Sequence, residues 1–126
     1  MAEQVAGWAE EAVKLVRCLA TGDRAGAAVQ RNLLVDHLGF VMAIHRREFL
    51  EWNGFWERVG NNVGGDRARA QRQALGLQGE SVERSYRAAL TLYALTGSAV
   101  WKVLNREQRA IVSNTCRVTG VTFAQA

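Results

Sequence analysis

The stretch Ala20–Phe49, ATGDRAGAAVQRNLLVDHLGFVMAIHRREF, decides the fold, because it holds the end of one helix, a turn and a long second helix. Gly22 can adopt the left-handed conformation that ends a helix, and Asp23 offers a side-chain oxygen that caps the next one. From there to about Phe49, apolar residues recur at the three- and four-residue steps of an α-helix. The stretch therefore predicts two helices joined by a tight turn. The second, apolar over much of its circumference, is expected to be the central helix.

The helical period continues on both sides of this stretch, and the chain contains no proline. An amphipathic helix precedes the turn, with the stripe Val5, Trp8, Ala9, Ala12, Leu15, Val16 and Leu19. The later chain predicts four further segments: a short helix at 55–59, a polar helix capped by Asp66 after a loop at 60–65, a helix from Ser81 through Leu104, and a last helix opened by Asn105 and Gln108. Short connections favour antiparallel neighbours. The sequence thus predicts an all-α antiparallel bundle of about five or six helices, a single domain over residues 1–126.

Composition narrows the class of protein. The 126 residues are 48% hydrophobic and carry a net charge of +4, with acidic residues mixed among the arginines. This diluted positive charge makes nucleic acid an unlikely partner. The longest apolar stretch, Leu38–Ile44, is too short to cross a membrane, and the N-terminus has no secretory signal pattern, so we expect a soluble, cytoplasmic protein. Arginine outnumbers lysine and alanine and glycine are abundant, which favours a bacterial source.

Neither the cysteines nor the histidines predict a metal site. Cys18 and Cys116 fall on apolar helical stripes, so we expect free thiols in the core, with a disulfide left open. His37 and His45 are eight residues apart, about 12 Å along a helix, which is too far for one metal ion. We expect no metal and no cofactor.

The last turn of the long helix is the candidate binding site. His45 and Glu48 are three residues apart and can hydrogen-bond, which would suit a ligand clamp or an acid–base pair. Arg46 and Arg47 suit an anionic group. The remaining predicted wall residues are aromatic: Trp52, Trp56, Tyr86, Tyr93 and Trp101. The competing interpretation is a surface histidine beside tryptophans that close one end of the core.

Two longer stretches carry a family resemblance. Ala20–Trp56 and Tyr86–Val112 resemble the C-terminal helical domain of bacterial nucleotidyltransferases of the antibiotic-modifying type, a bundle related to the HEPN fold. The resemblance implies a bundle that helps to hold the acceptor substrate beside a catalytic domain. That domain needs a Gly-Ser followed by paired carboxylates to hold metal ions. Here the only Gly-Ser is Gly97-Ser98, and no aspartate has an acidic partner two residues on. We therefore expect a small-molecule-binding bundle that acts alone or with a separate nucleotidyltransferase catalytic partner.

Three alternatives stay open at this point. His45 and Glu48 could serve as the catalytic acid–base pair of a cofactor-free isomerase or cyclase in the same pocket. Arg31 and His37 resemble the arginine–histidine signature of HEPN ribonucleases, which would require a homodimer. The third alternative is a protein-interaction bundle without a pocket.

Overall fold

The Gly22–Asp23 turn joins α1, Ala9–Thr21, to α2, Arg24–His45, in a computed structural model that describes residues 7–46, 57, 65–79 and 81–123. Gly22 has φ 76°, and the Asp23 amide donates to the Cys18 carbonyl at 2.9 Å. The Asp23 carboxylate then accepts from the Gly26 amide at 2.9 Å. Both roles were predicted and are confirmed. Trp8, just before α1, stacks on His37 in the second half of α2, so the two helices are antiparallel.

A second hairpin follows, made of α3, Gly65–Ala74, and α4, Val82–Ala99. Arg67 near the start of α3 donates to Thr96 near the end of α4, so these helices are also antiparallel. A short 3-10 helix, Trp101–Val103, leads to α5, Arg106–Thr119, which opens with the predicted capping box of Asn105 and Gln108. Within the described ranges the chain forms five α-helices and no strand, which confirms the all-α bundle.

The central helix is α4, and the prediction that α2 would be central is wrong. α4 contacts every other helix, whereas α2 packs on α1 and α4 and only lightly on α3. Ten of its 18 residues are buried, against eight of 22 in α2. The reason is side-chain size, because alanine and glycine let neighbouring helices approach α4 closely. These small buried residues are Ala88, Ala89, Ala94 and Gly97.

Other sequence predictions need correction where a helix extends past its neighbours. Leu19 was expected on a buried stripe, yet 40% of its surface is exposed. Ile44 on α2 and Ile111 on α5 are exposed to a similar degree. Trp8 and Trp101 are half-buried at the edge of the core. The helix predicted from Ser81 through Leu104 is shorter in the structure, where α4 ends at Ala99 and the 3-10 helix follows.

Part of the predicted architecture lies outside the described residues, namely most of the short helix at 55–59 and of the loop at 60–65. Gly65 from that loop is the first residue of α3, and Asp66, predicted as the cap, lies in the first turn of that helix. No helix among the described residues is long and apolar enough to span a bilayer.

Gly97→Ala should lower the free energy of unfolding by about 1–3 kcal/mol through overpacking. A Cβ at position 97 would lie 2.8 Å from Cγ1 of Val112 on α5, a β-branched side chain that cannot swing away. Urea unfolding of Gly97→Ala alone and in a Val112→Ala background measures the coupling free energy between positions 97 and 112. The cost should shrink when Val112 is truncated, and an equal cost in both backgrounds would contradict the steric explanation.

Stability should fall in alkali because of Cys116. Burial against α4 raises the pKa of this thiol from 9.0 to about 11. The folded state therefore favours the protonated thiol, so its contribution is complete below about pH 9 and is lost as the pH rises towards about 11. Cys116→Ala removes this group, and its loss of unfolding free energy between these pH values should be roughly 1–2 kcal/mol smaller than that of the unsubstituted chain. If the unfolding free energies of the two proteins fell in parallel over this pH range, Cys116 would not be the cause of the loss.

Candidate functional site

The predicted pocket beside the end of α2 falls largely outside the described residues. Arg47, Glu48, Trp52 and Trp56 all lie there, so their roles remain predictions. His45 is half-buried in the last turn of α2. Arg46 is exposed and forms the C-cap of the helix.

The aromatic residues expected to face this pocket do not meet one another. Tyr86, Tyr93 and Trp101 lie at successive levels along and just after α4, seven and eight residues apart. Burial raises the pKa of Tyr93 above its ordinary range, as expected for a hydroxyl held in the core. Each has its own partner: Tyr86 lies 5.3 Å below the Arg31 guanidinium, Tyr93 is hydrogen-bonded to Thr115, and Trp101 packs on Phe123 with ring centroids 5.1 Å apart.

Arg31 and His37 contact different helices. The His37 ring stacks on Trp8 from α1, with centroids 3.7 Å apart and planes 16° from parallel. The Arg31 guanidinium donates to the Ser85 hydroxyl of α4 at 3.0 Å. The two side chains are therefore not brought together within one chain, and the geometry lends no support to an acid–base pair made by them there.

Arg67 is a buried charged residue that the sequence interpretation missed. Its side chain is 4% exposed and donates to Thr96 Oγ1 at 3.0 Å, to Gln71 Oε1 at 3.3 Å and to the Leu38 carbonyl at 3.0 Å. These acceptors lie on α4, α3 and α2. Burial lowers the pKa of the guanidinium to about 10, which still leaves it charged at neutral pH. Arg67 thus links three helices through neutral oxygens.

A sequence signal for this arrangement existed in α3. The segment GDRARAQRQA is polar enough to suggest a solvated helix. However, Arg67, Gln71 and Ala74 follow the i, i+4, i+7 spacing of a single helical face, and all three are buried. A search for apolar periodicity does not detect this buried face, because its longest side chains are polar.

Residues of α1, α4 and α5 line a groove. Its volume is about 570 Å³, within the range of small-molecule sites. Gly120, the C-cap of α5 with φ 74°, lines this groove. Its apolar wall explains why Leu19 is exposed despite its place on the helical stripe. That wall is made of Val16, Leu19, Leu90 and Val121.

Among the described residues that line the groove, Arg87 is the one cationic residue, and Thr91, Thr119 and Thr122 line it too. The Thr119 hydroxyl is already committed, donating to the Thr115 carbonyl at 2.8 Å. Arg87 is exposed and forms no hydrogen bond or ion pair within the part of the chain that the structure describes. An apolar wall with one uncommitted guanidinium suits an apolar ligand that carries a single negative charge.

Metal coordination has no candidate in the described ranges, where His, Cys, Asp and Glu side chains form no group of three or more that could hold an ion. Both cysteines are free thiols: Cys116 is buried as expected, and Cys18 is half-buried. Cys18 Sγ lies 3.9 Å from Asp23 Oδ2 at the turn between α1 and α2.

Comparison of the chain with protein-family models, curated proteins and solved structures found no match. The resemblance to nucleotidyltransferase helical domains therefore stays a prediction from the sequence pattern.

Arg67→Lys should lower the free energy of unfolding by about 2–4 kcal/mol. An ammonium lacks the planar fork that reaches three acceptors on three helices, and its stronger hydration raises the cost of burial. The matched control is Arg69→Lys, two residues away, whose partner Asp66 is exposed; this change should cost less than about 0.5 kcal/mol. Thermal and urea unfolding measure both. Equal stability of the two variants would show that Arg67 does not link the helices.

Proposed function

We propose that this domain binds a small organic molecule with an apolar body and a negatively charged group in the groove among α1, α4 and α5. The observation that carries the proposal is an apolar groove of about 570 Å³ with the unpaired Arg87 at its rim. Val16, Leu19 and Leu90 would cover the apolar body, and Arg87 would hold a carboxylate.

Small-molecule binding is also what the family resemblance implies. The proposed groove differs from the pocket predicted beside the last turn of α2, and the two are independent. If the kinship to nucleotidyltransferase bundles is real, the domain would hold a substrate for a separate catalytic partner. Catalysis by His45 and Glu48 stays a prediction, because Glu48 lies outside the described residues. A homodimeric ribonuclease that uses Arg31 and His37 also stays a prediction.

The proposal is tested with 3-phenylpropanoate, a carboxylate with a compact apolar body, by isothermal titration or by protein-observed NMR. Binding should be saturable, with one site per chain. Arg87→Gln should weaken it about tenfold, the effect of losing one charge-assisted hydrogen bond.

The matched control is Arg84→Gln on the same helix. Arg84 is exposed and does not line the groove, and only its backbone amide takes part in the N-cap with Ser81. This variant removes the same charge and should bind as the unsubstituted chain does. If both substitutions weakened binding equally, the loss would come from the change in net charge and not from the groove, which would contradict the role of Arg87. The absence of saturable binding would overturn the proposal.

A further inference from the structure

Glu83 and Arg87 on α4 have the spacing of a helical ion pair, yet they do not form one. A glutamate four residues before a basic residue is the favoured orientation for such a pair. Lys14 does pair with Glu10 at 3.2 Å on α1, with the same spacing. Neither Glu83 nor Arg87 has a charged partner among the described residues. Two opposite charges one turn apart are thus both available to a ligand.

These two side chains face adjoining cavities. Arg87 lines the groove described above, whereas Glu83 lines a smaller cavity of about 190 Å³ beside the Gly22–Asp23 turn. Leu19 lines both cavities, so the two adjoin at this side chain. The boundary is therefore a place where a cation site and an anion site meet next to an apolar surface.

We propose that the groove and the smaller cavity, at the place where they adjoin, bind an apolar α-amino acid as its zwitterion, with its carboxylate on Arg87, its ammonium on Glu83 and its side chain against Val16, Leu90 and Val121. This inference rests on the proposed function and names the ligand class. Asp23 lines the smaller cavity too, but its carboxylate is already used to cap α2, which leaves Glu83 as the acceptor for the ammonium. A zwitterionic ligand supplies one opposite charge to Glu83 and one to Arg87, which do not pair with each other.

Three related compounds separate the contributions: phenylalanine, 3-phenylpropanoate, which lacks the ammonium, and 2-phenylethylamine, which lacks the carboxylate. Phenylalanine should bind about fivefold more tightly than 3-phenylpropanoate, the scale of one solvent-exposed charge pair, and 2-phenylethylamine should bind weakest. Glu83→Gln should abolish the advantage of phenylalanine over 3-phenylpropanoate without changing the affinity for 3-phenylpropanoate itself.

The matched control is Glu107→Gln, an exposed glutamate in the first turn of α5 that lines neither cavity. It should leave all three affinities unchanged. Equal binding of phenylalanine and 3-phenylpropanoate, with no effect of Glu83→Gln but loss in Arg87→Gln, would overturn the amino-acid inference while the proposed function stands. No saturable binding of any of the three compounds would overturn both. Circular dichroism of each variant checks that the bundle is intact.

Discussion

The close packing of α4 against all its neighbours is the constraint on which the rest of the bundle depends. A helix buried on most sides can carry few long side chains, and α4 meets this requirement with Ala88, Ala89, Ala94 and Gly97. Gly97 is a point of close approach, since even a methyl group there would collide with Val112 of α5. The positions of α2, α3 and α5 therefore follow from the small residues of α4.

A charged side chain completes the interior that α4 organises. Burying a guanidinium is costly, and Arg67 offsets that cost by donating to oxygens on its own helix α3 and on the neighbouring helices α2 and α4. This arrangement fixes α3 in position although the helix contributes only short apolar side chains to the core. The polar composition of α3 is thus compatible with burial, because its buried polar groups are hydrogen-bonded.

The groove is a consequence of where helices stop. α1 ends at Thr21 and α5 ends at Thr119, and the face of α4 that carries Arg87 and Thr91 stays exposed. Leu19 is exposed for the same reason. The apolar periodicity of α1 could not predict this exposure, because it does not show where the neighbouring helices end. The proposed ligand would cover this uncovered face.

By itself, the sequence determined the local structure: the all-α class, the cap by Asp23, the left-handed Gly22 and the capping box of Asn105 and Gln108. Such features depend on residues within three to five positions of one another, so they can be read along the chain. Only the tertiary structure decided that α4 rather than α2 is central, that Arg67 is buried and that Arg87 stands over a groove. These depend on how closely separate helices approach, which is set by side-chain volumes on both partners and is not visible in either helix alone.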